Sequence, residues 1–205
     1  MHKHHFFNGT EFAGEILEFS ISFVELLDKK YRISCFSTDY ILDRKRFNGY
    51  NLPRMWATYG DNHRGVCLVI DKKIFSIENG VDDTNNLLRE VIYTKESNNV
   101  IALQDNILKL NQEFSYIDRL HKCIEGIFFT KNIDWITEHE IRFLSSNKMD
   151  YVTINNSLVK IILGLDFAMV YAQLIESLIN KLDKKDKIQL NHLVFNGKTG
   201  QLELG

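Results

Sequence analysis

The stretch IQLNHLVFNGKTGQLEL, running from Ile188 to Leu204, decides how the chain reads. Two runs rich in β-forming residues flank Asn196-Gly197, a strong short-range signal for a hairpin. Working back toward the N-terminus, Ala168 to Asp183 has the spacing of an amphipathic helix, and the apolar run LVKIILG stops at Gly164. Strands are expected at His139 to Ser145 and at Tyr151 to Ile154. The longest helical pattern lies between Asn99 and Phe129, with Ile107, Leu110, Phe114, Ile117, Leu120, Ile124 and Phe128 on one stripe.

Further back, EVIYTK and GVCLVID read as strands, the second buried. Pro53 suits the first turn of a short helix carrying Met55, Trp56 and Tyr59, and Gly60-Asp61-Asn62 ends it. YRISCFS is a strand ending at Ser37, followed by a polar loop through TDYILDRKRFNGYN. Thr10 to Lys30 carries apolar residues at helical spacing, with Thr10 as its cap. Helices therefore do not alternate strictly with strands. The chain reads as an α+β fold in one domain spanning 1–205, with a mixed, mostly antiparallel sheet flanked by helices and a long helical insertion at 98–130.

Composition narrows the function. At 205 residues with 44% hydrophobic and 12% aromatic content, the chain can bury a full core as one domain. A formal charge of -2, with both signs mixed along the length, leaves no broad basic face for duplex DNA. Cys35, Cys67 and Cys123 are odd in number and widely spaced, which fits reduced thiols rather than a disulfide framework or a zinc knuckle. No apolar run reaches about 18 residues, so no membrane span is expected and the cytoplasm is the expected location. His2, His4 and His5 read as a solvated chain end, and no metal site is assigned.

Two stretches carry polar side chains with chemistry. In RMWATYGDNHRGVCLVID, Trp56 and Tyr59 sit on a helical face, while His63 and Arg64 follow a break and precede a strand, where a loop can aim them into a cleft. In NIDWITEHEIRF, an extended backbone from Glu138 would put Glu138, Glu140 and Arg142 on one face. Two carboxylates about 6 to 7 Å apart beside a guanidinium can hold a cationic or hydroxylated ligand, or raise one carboxyl's pKa for acid or base work. The plainer reading is an exposed salt bridge between Glu140 and Arg142. Cys35 reads as a small hydrophobe in a strand, with no histidine nearby in sequence to make it a nucleophile. The P-loop and G-x-G-x-x-G patterns are both absent.

The order ISCFS, MWATYGDNHRGVCLVID, VIYTK, FFTKNIDWITEHEIRFL and VKIILG resembles the bacterial family known as domain of unknown function 2971. Residues matching its blocks are Cys35, Phe36 and Ser37; Met55, Trp56, Tyr59, His63 and Gly65; Lys131, Trp135, Glu138, Glu140 and Arg142; and Gly164. The resemblance also implies an initial strand and helix, and the chain opens almost directly at the element that follows them, FFNGTEF, with Gly9-Thr10 in place of Asp-Pro.

That family's layout is in turn similar to ADP-ribosyltransferase-like domains. The similarity implies NAD as a substrate, Glu140 as the catalytic glutamate with Glu138 second, Tyr59 or Trp56 stacking on nicotinamide, and Arg142 or His63 meeting phosphate. Ser37, Arg64 and Lys131 complete the expected substrate contacts. Two other classes stay open. One is a non-catalytic module binding a protein or nucleic acid, as in phage-defence or toxin-antitoxin systems. The other is a phosphodiester hydrolase with a divalent metal on Glu138 and Glu140.

Overall fold

The computed structural model of the chain describes residues 30–82, 85–95, 126–146, 151–182 and 188–205. Among them are eleven strands: β1 (Arg32–Ser37), β2 (Tyr40–Leu42), β3 (Lys45–Phe47), β4 (Val66–Ile70), β5 (Asn86–Glu90), β6 (Ile92–Thr94), β7 (Thr130–Asn132), β8 (Glu140–Ser145), β9 (Leu158–Leu163), β10 (Gln189–Asn196) and β11 (Gln201–Leu204). The α-helices are α1 (Pro53–Tyr59), α2 (Lys72–Glu78) and α3 (Ala172–Ile179).

β8 is the centre of a three-stranded antiparallel sheet ordered β1-β8-β5. Its residues are buried along the whole strand except at half-buried Arg142, because both faces are covered. By register, Phe36, Ile141, Ser34, Phe143 and Leu88 share one face. Phe75 of α2 closes it, meeting Phe36 and Phe143 edge-on with ring centroids 5.2 and 5.4 Å apart. On the other face, Leu144 packs with Phe129, Tyr31, Leu87 and Phe128. Cys35 opposite Arg142, and Ser37 opposite Glu140, continue that face toward the start of β8.

A second sheet, ordered β11-β10-β9-β4, pairs β9 with β10 in parallel and is antiparallel elsewhere. Its core is Trp56, Ile162, Leu193 and Leu202, so α1 is pinned to this sheet by its tryptophan. Two small pairs complete the strands, β2 with β3 antiparallel and β6 with β7 parallel. Five of the seven pairings are thus antiparallel, and the fold is α+β with mixed, mostly antiparallel sheets, as the sequence predicts.

Several local readings change. The loop after Ser37 contains the β2–β3 hairpin, turned by Asp43 and Arg44 at positive φ. EVIYTK divides at Val91 into β5 and β6. Tyr151 to Ile154 has no strand pairing, and Thr153 is instead bonded through both its N–H and its C=O to the side chain of Asn79. The last hairpin turns through residues 197–200 rather than two, with the Asn196 side chain accepting from the N–H groups of Lys198 and Thr199, and Gly200 at positive φ. Among the described residues of the expected 168–183 segment, only Ala172–Ile179 is α-helical, preceded by a 3-10 turn at Met169–Tyr171. The expected helix at Thr10 to Lys30 lies outside the described residues up to Lys30, and so does residues 98–125 of the expected insertion. Among the described residues, no helix is long and apolar enough to cross a membrane.

Candidate functional site

Glu140, the first residue of β8, is bound by three nitrogens from two side chains. Arg142 reaches it with Nε to Oε1 at 2.7 Å and Nη2 to Oε2 at 3.0 Å, and Lys131 Nζ lies 3.2 Å from Oε2. The contact between Glu140 and Arg142 follows from β alternation, since residues two apart on a strand point the same way. Lys131 lies on β7 and pairs in register with Tyr93 of β6, whose hydroxyl accepts the Glu140 N–H at 2.9 Å. The remaining Arg142 nitrogen donates to the Phe128 carbonyl at 2.6 Å.

Glu138 joins the same network by a different route. It ends a 3-10 turn at Ile133–Glu138, and His139 then adopts the left-handed conformation at φ 46° before β8 begins. Its carboxylate accepts from Lys131 Nζ and, at 3.0 Å, from the Tyr59 hydroxyl. Ser37 Oγ donates to the Glu138 carbonyl at 2.8 Å. Two carboxylates and two cations therefore balance, with side-chain exposures of 4% for Glu138 and 6% for Glu140. Buried charges need this kind of pairing and hydrogen bonding.

The electrostatics follow from those contacts. Burial alone would raise the Glu140 carboxyl, but hydrogen bonds from Arg142 and Cys35, the Arg142 charge and Lys131 outweigh it and hold it below the usual carboxylate range. The sequence reading allowed one carboxyl to be raised for proton donation; Glu140 moves the other way. Burial works against the Lys131 charge, yet its bonds to Glu138 and Glu140 raise its pKa overall. For Cys35, desolvation first, and then the bond to Glu140 and its charge, push the thiol up to about 11. Desolvation and the bond to Glu138 also raise Tyr59.

Of the residues singled out in the sequence, the structure brings together Tyr59, Lys131, Glu138, Glu140, Arg142 and Ser37. Trp56 is elsewhere: it is a core residue, 3% exposed, with its indole N–H bonded to the Tyr50 carbonyl at 2.7 Å. Arg64 turns back on Asp61, with Nη2 3.1 Å from Oδ1. His63 belongs to a tight turn in which Asp61, Asn62 and His63 all have positive φ. Its N–H is bonded to the Trp56 carbonyl and its C=O accepts from Asp166, so it is tied to the second sheet, and its Nδ1 is buried without a partner. The expected cleft joining His63 and Arg64 to the two glutamates is thus not formed by their contacts.

Other residues enter to which the sequence reading gave no site role. Trp135 carries two cations over its ring, Lys131 Nζ at 4.8 Å and Arg54 Cζ at 4.9 Å from the centroid. His139 stacks on Tyr40 at 3.9 Å, and Tyr40 in turn on Phe47 at 5.2 Å. Trp135 lies within the KNIDW block, so its place in the motif was a usable signal. Nothing local marked Arg54, because its contacts are about 80 residues away in sequence.

An open cavity of about 980 Å³ lies between the sheets, bounded by β1, β4, α1 and Phe75. It touches the network only at Cys35, Ser37 and Tyr59; Glu138, Glu140, Lys131 and Arg142 do not line it. Among the described residues, no group of three or more His, Cys, Asp or Glu side chains is placed to hold a metal ion.

A family model described as "Protein of unknown function (DUF2971)" matches residues 55–143. The matched span begins within α1 at Met55, after β1, and contains Tyr59, Lys131, Glu138, Glu140 and Arg142. Neither the curated proteins nor the solved structures contain a match to the chain.

Proposed function

We propose, from the match of residues 55–143 to the DUF2971 family model, that the chain binds a nucleotide, NAD above all, at the rim of the Lys131–Glu138–Glu140–Arg142 network and acts on it in the manner of an ADP-ribosyltransferase-like enzyme. The observation carrying this reading is Glu140, held ionised beside a second carboxylate by Arg142 and Lys131. When nicotinamide departs with the electron pair of its glycosidic bond, positive charge develops on the ribose. A fixed carboxylate stabilises that charge, as in glycoside cleavage. Such a role needs no proton on Glu140, which agrees with its lowered pKa. Tyr59, largely exposed and hydrogen-bonded to Glu138, is the ring that would meet nicotinamide.

A second reading is favoured by one observation, the near-complete burial of both carboxylates with their partners already engaged. In a non-catalytic module, that network would serve as a rigid floor under an interface built from Tyr59 and its neighbours. The metal-dependent hydrolase has less support, since a divalent ion on Glu138 and Glu140 would have to displace Lys131 and the Arg142 fork.

The test is a thermal-shift series with NAD, ADP-ribose and Mg²⁺, followed by an assay for free nicotinamide, on the wild type and Tyr59→Phe and Glu140→Gln. A melting-temperature rise with NAD and nicotinamide release lost in Glu140→Gln, with the variant shown folded by circular dichroism, is the expected result. No shift and no release from the wild type moves the function to the binding module.

A further inference from the structure

The cations of the network and of its surroundings differ in how far their charge is already matched. Lys131 is shared by Glu138 and Glu140, and Arg142 holds Glu140 with two nitrogens. Arg64 faces Asp61, and Arg46 faces Asp39. Arg54 is different: among the described residues no carboxylate is bonded to it. Its two hydrogen bonds, from Nη1 to the Asp134 carbonyl at 3.4 Å and to Thr137 Oγ1 at 3.5 Å, are at the outer limit for such bonds. Most of its five N–H donors are therefore unused, and the side chain is exposed.

What orients Arg54 is Trp135, over whose ring its guanidinium lies at 4.9 Å. The same ring receives Lys131 at 4.8 Å, so Trp135 joins Arg54 to the buried network. Tyr59 reaches the network from the other end of α1. Arg54 and Tyr59 are five residues apart, roughly 7–8 Å along a helix axis, and both contact the 133–138 turn. That spacing suits the phosphate end and the nicotinamide end of one nucleotide.

We propose that Arg54, held by Trp135, is the contact for the anionic part of the ligand, a phosphate or pyrophosphate group. The inference rests on the nucleotide reading above and replaces Arg142 and His63 in the phosphate role: Arg142 is consumed by Glu140, and His63 is tied into the turn on the second sheet. A guanidinium fork matches phosphate oxygens two at a time, which a lysine cannot do.

The test uses the full chain with three probes, inorganic pyrophosphate, ADP-ribose and the phosphate-free nicotinamide riboside, in titration calorimetry at low and moderate salt. The variants are Arg54→Ala, Arg54→Lys and, as a control in the exposed last turn, Lys198→Ala. Pyrophosphate and ADP-ribose are expected to bind the wild type and the control, with affinity falling as salt rises. Arg54→Ala should weaken both by about tenfold or more, with Arg54→Lys between and nicotinamide riboside unaffected. Wild-type affinity for pyrophosphate and ADP-ribose in Arg54→Ala overturns the assignment. Should that variant keep its affinity while the wild type releases nicotinamide from NAD, only the Arg54 contact falls. Pyrophosphate bound through Arg54 without nicotinamide release leaves the contact standing and removes the transferase reading. A wild type that binds none of the probes removes both.

Discussion

Arg142 holds Glu140 from two positions further along the same strand, with Nε on one carboxylate oxygen at 2.7 Å and Nη2 on the other at 3.0 Å. Forked pairs of this kind combine charge with fixed geometry. Because both side chains are nearly buried, the pair behaves quite unlike a surface salt bridge.

The first prediction concerns that pair. Glu140→Gln leaves Arg142 buried without its counter-charge and removes one of the two carboxylates that Lys131 serves. Losing one partner of a buried ion pair costs roughly 3–5 kcal/mol, so urea denaturation should show a clear fall in midpoint rather than the near-silent change that an exposed site would give. A midpoint within experimental error of the wild type would mean that the network is open to water.

Acid should act in two stages. The His139 imidazole is lowered by burial, so the fold resists its protonation and stability falls as pH drops below the unfolded value of about 6.5. Glu140 is depressed, so the stability it lends is complete above the unfolded carboxyl value of about 4.3 and is lost as pH falls through its lower folded value. Melting temperatures between pH 8 and pH 3 should show both declines, and His139→Asn, which tolerates the left-handed backbone, should remove the first. A single transition in the wild type would assign no titration to His139.

At Gly164 the constraint is steric. A Cβ there would collide with the His63 carbonyl oxygen, a backbone atom inside a turn fixed by bonds to Trp56 and Asp166. Gly164→Ala should therefore destabilise by about 1–3 kcal/mol or more, the usual range for overpacking. Calorimetric melting of the variant is the check, and an unchanged melting temperature would show that the turn can retreat.

Cys35 is exposed, but its pKa of about 11 keeps the thiolate scarce at neutral pH. Alkylation by iodoacetamide, followed by peptide mapping at Cys35, should be slow at pH 7 and accelerate toward pH 10. Glu140→Gln should speed it at neutral pH by removing the negative charge beside the sulfur. Fast reaction in the wild type at pH 7 would show that desolvation and the bond to Glu140 do not together hold the thiol protonated in solution.

The sequence made parts of this site legible and hid others for physical reasons. The pairing of Glu140 with Arg142 follows from strand periodicity, which is local. Glu138 was expected on the same strand face, and it does share their partner Lys131, but by way of a 3-10 turn and the left-handed His139, a backbone event that composition does not signal. His63 looked like a loop residue aimed at a cleft, whereas three successive positive φ angles turn it to the second sheet. Trp56 and Tyr59 occupy the same short helix, and only the packing of α1 between Ile162 on one side and Glu138 on the other separates core from site. Contacts spanning about 80 residues, such as Arg54 to Thr137, leave no trace in any window of sequence.

The left-handed His139 has a consequence for how chains of this kind can vary in length. It fixes the count of residues between Lys131 on β7 and Glu140 at the head of β8, whose side chain must emerge on the Cys35 and Arg142 side of the sheet. The register of β8 is fixed by its buried faces and its two partner strands, so one residue inserted or deleted within 133–139 would be taken up in the turn and carry Glu138 away from Lys131 and Tyr59. Natural length variation should therefore accumulate in other connections and leave this seven-residue joint untouched.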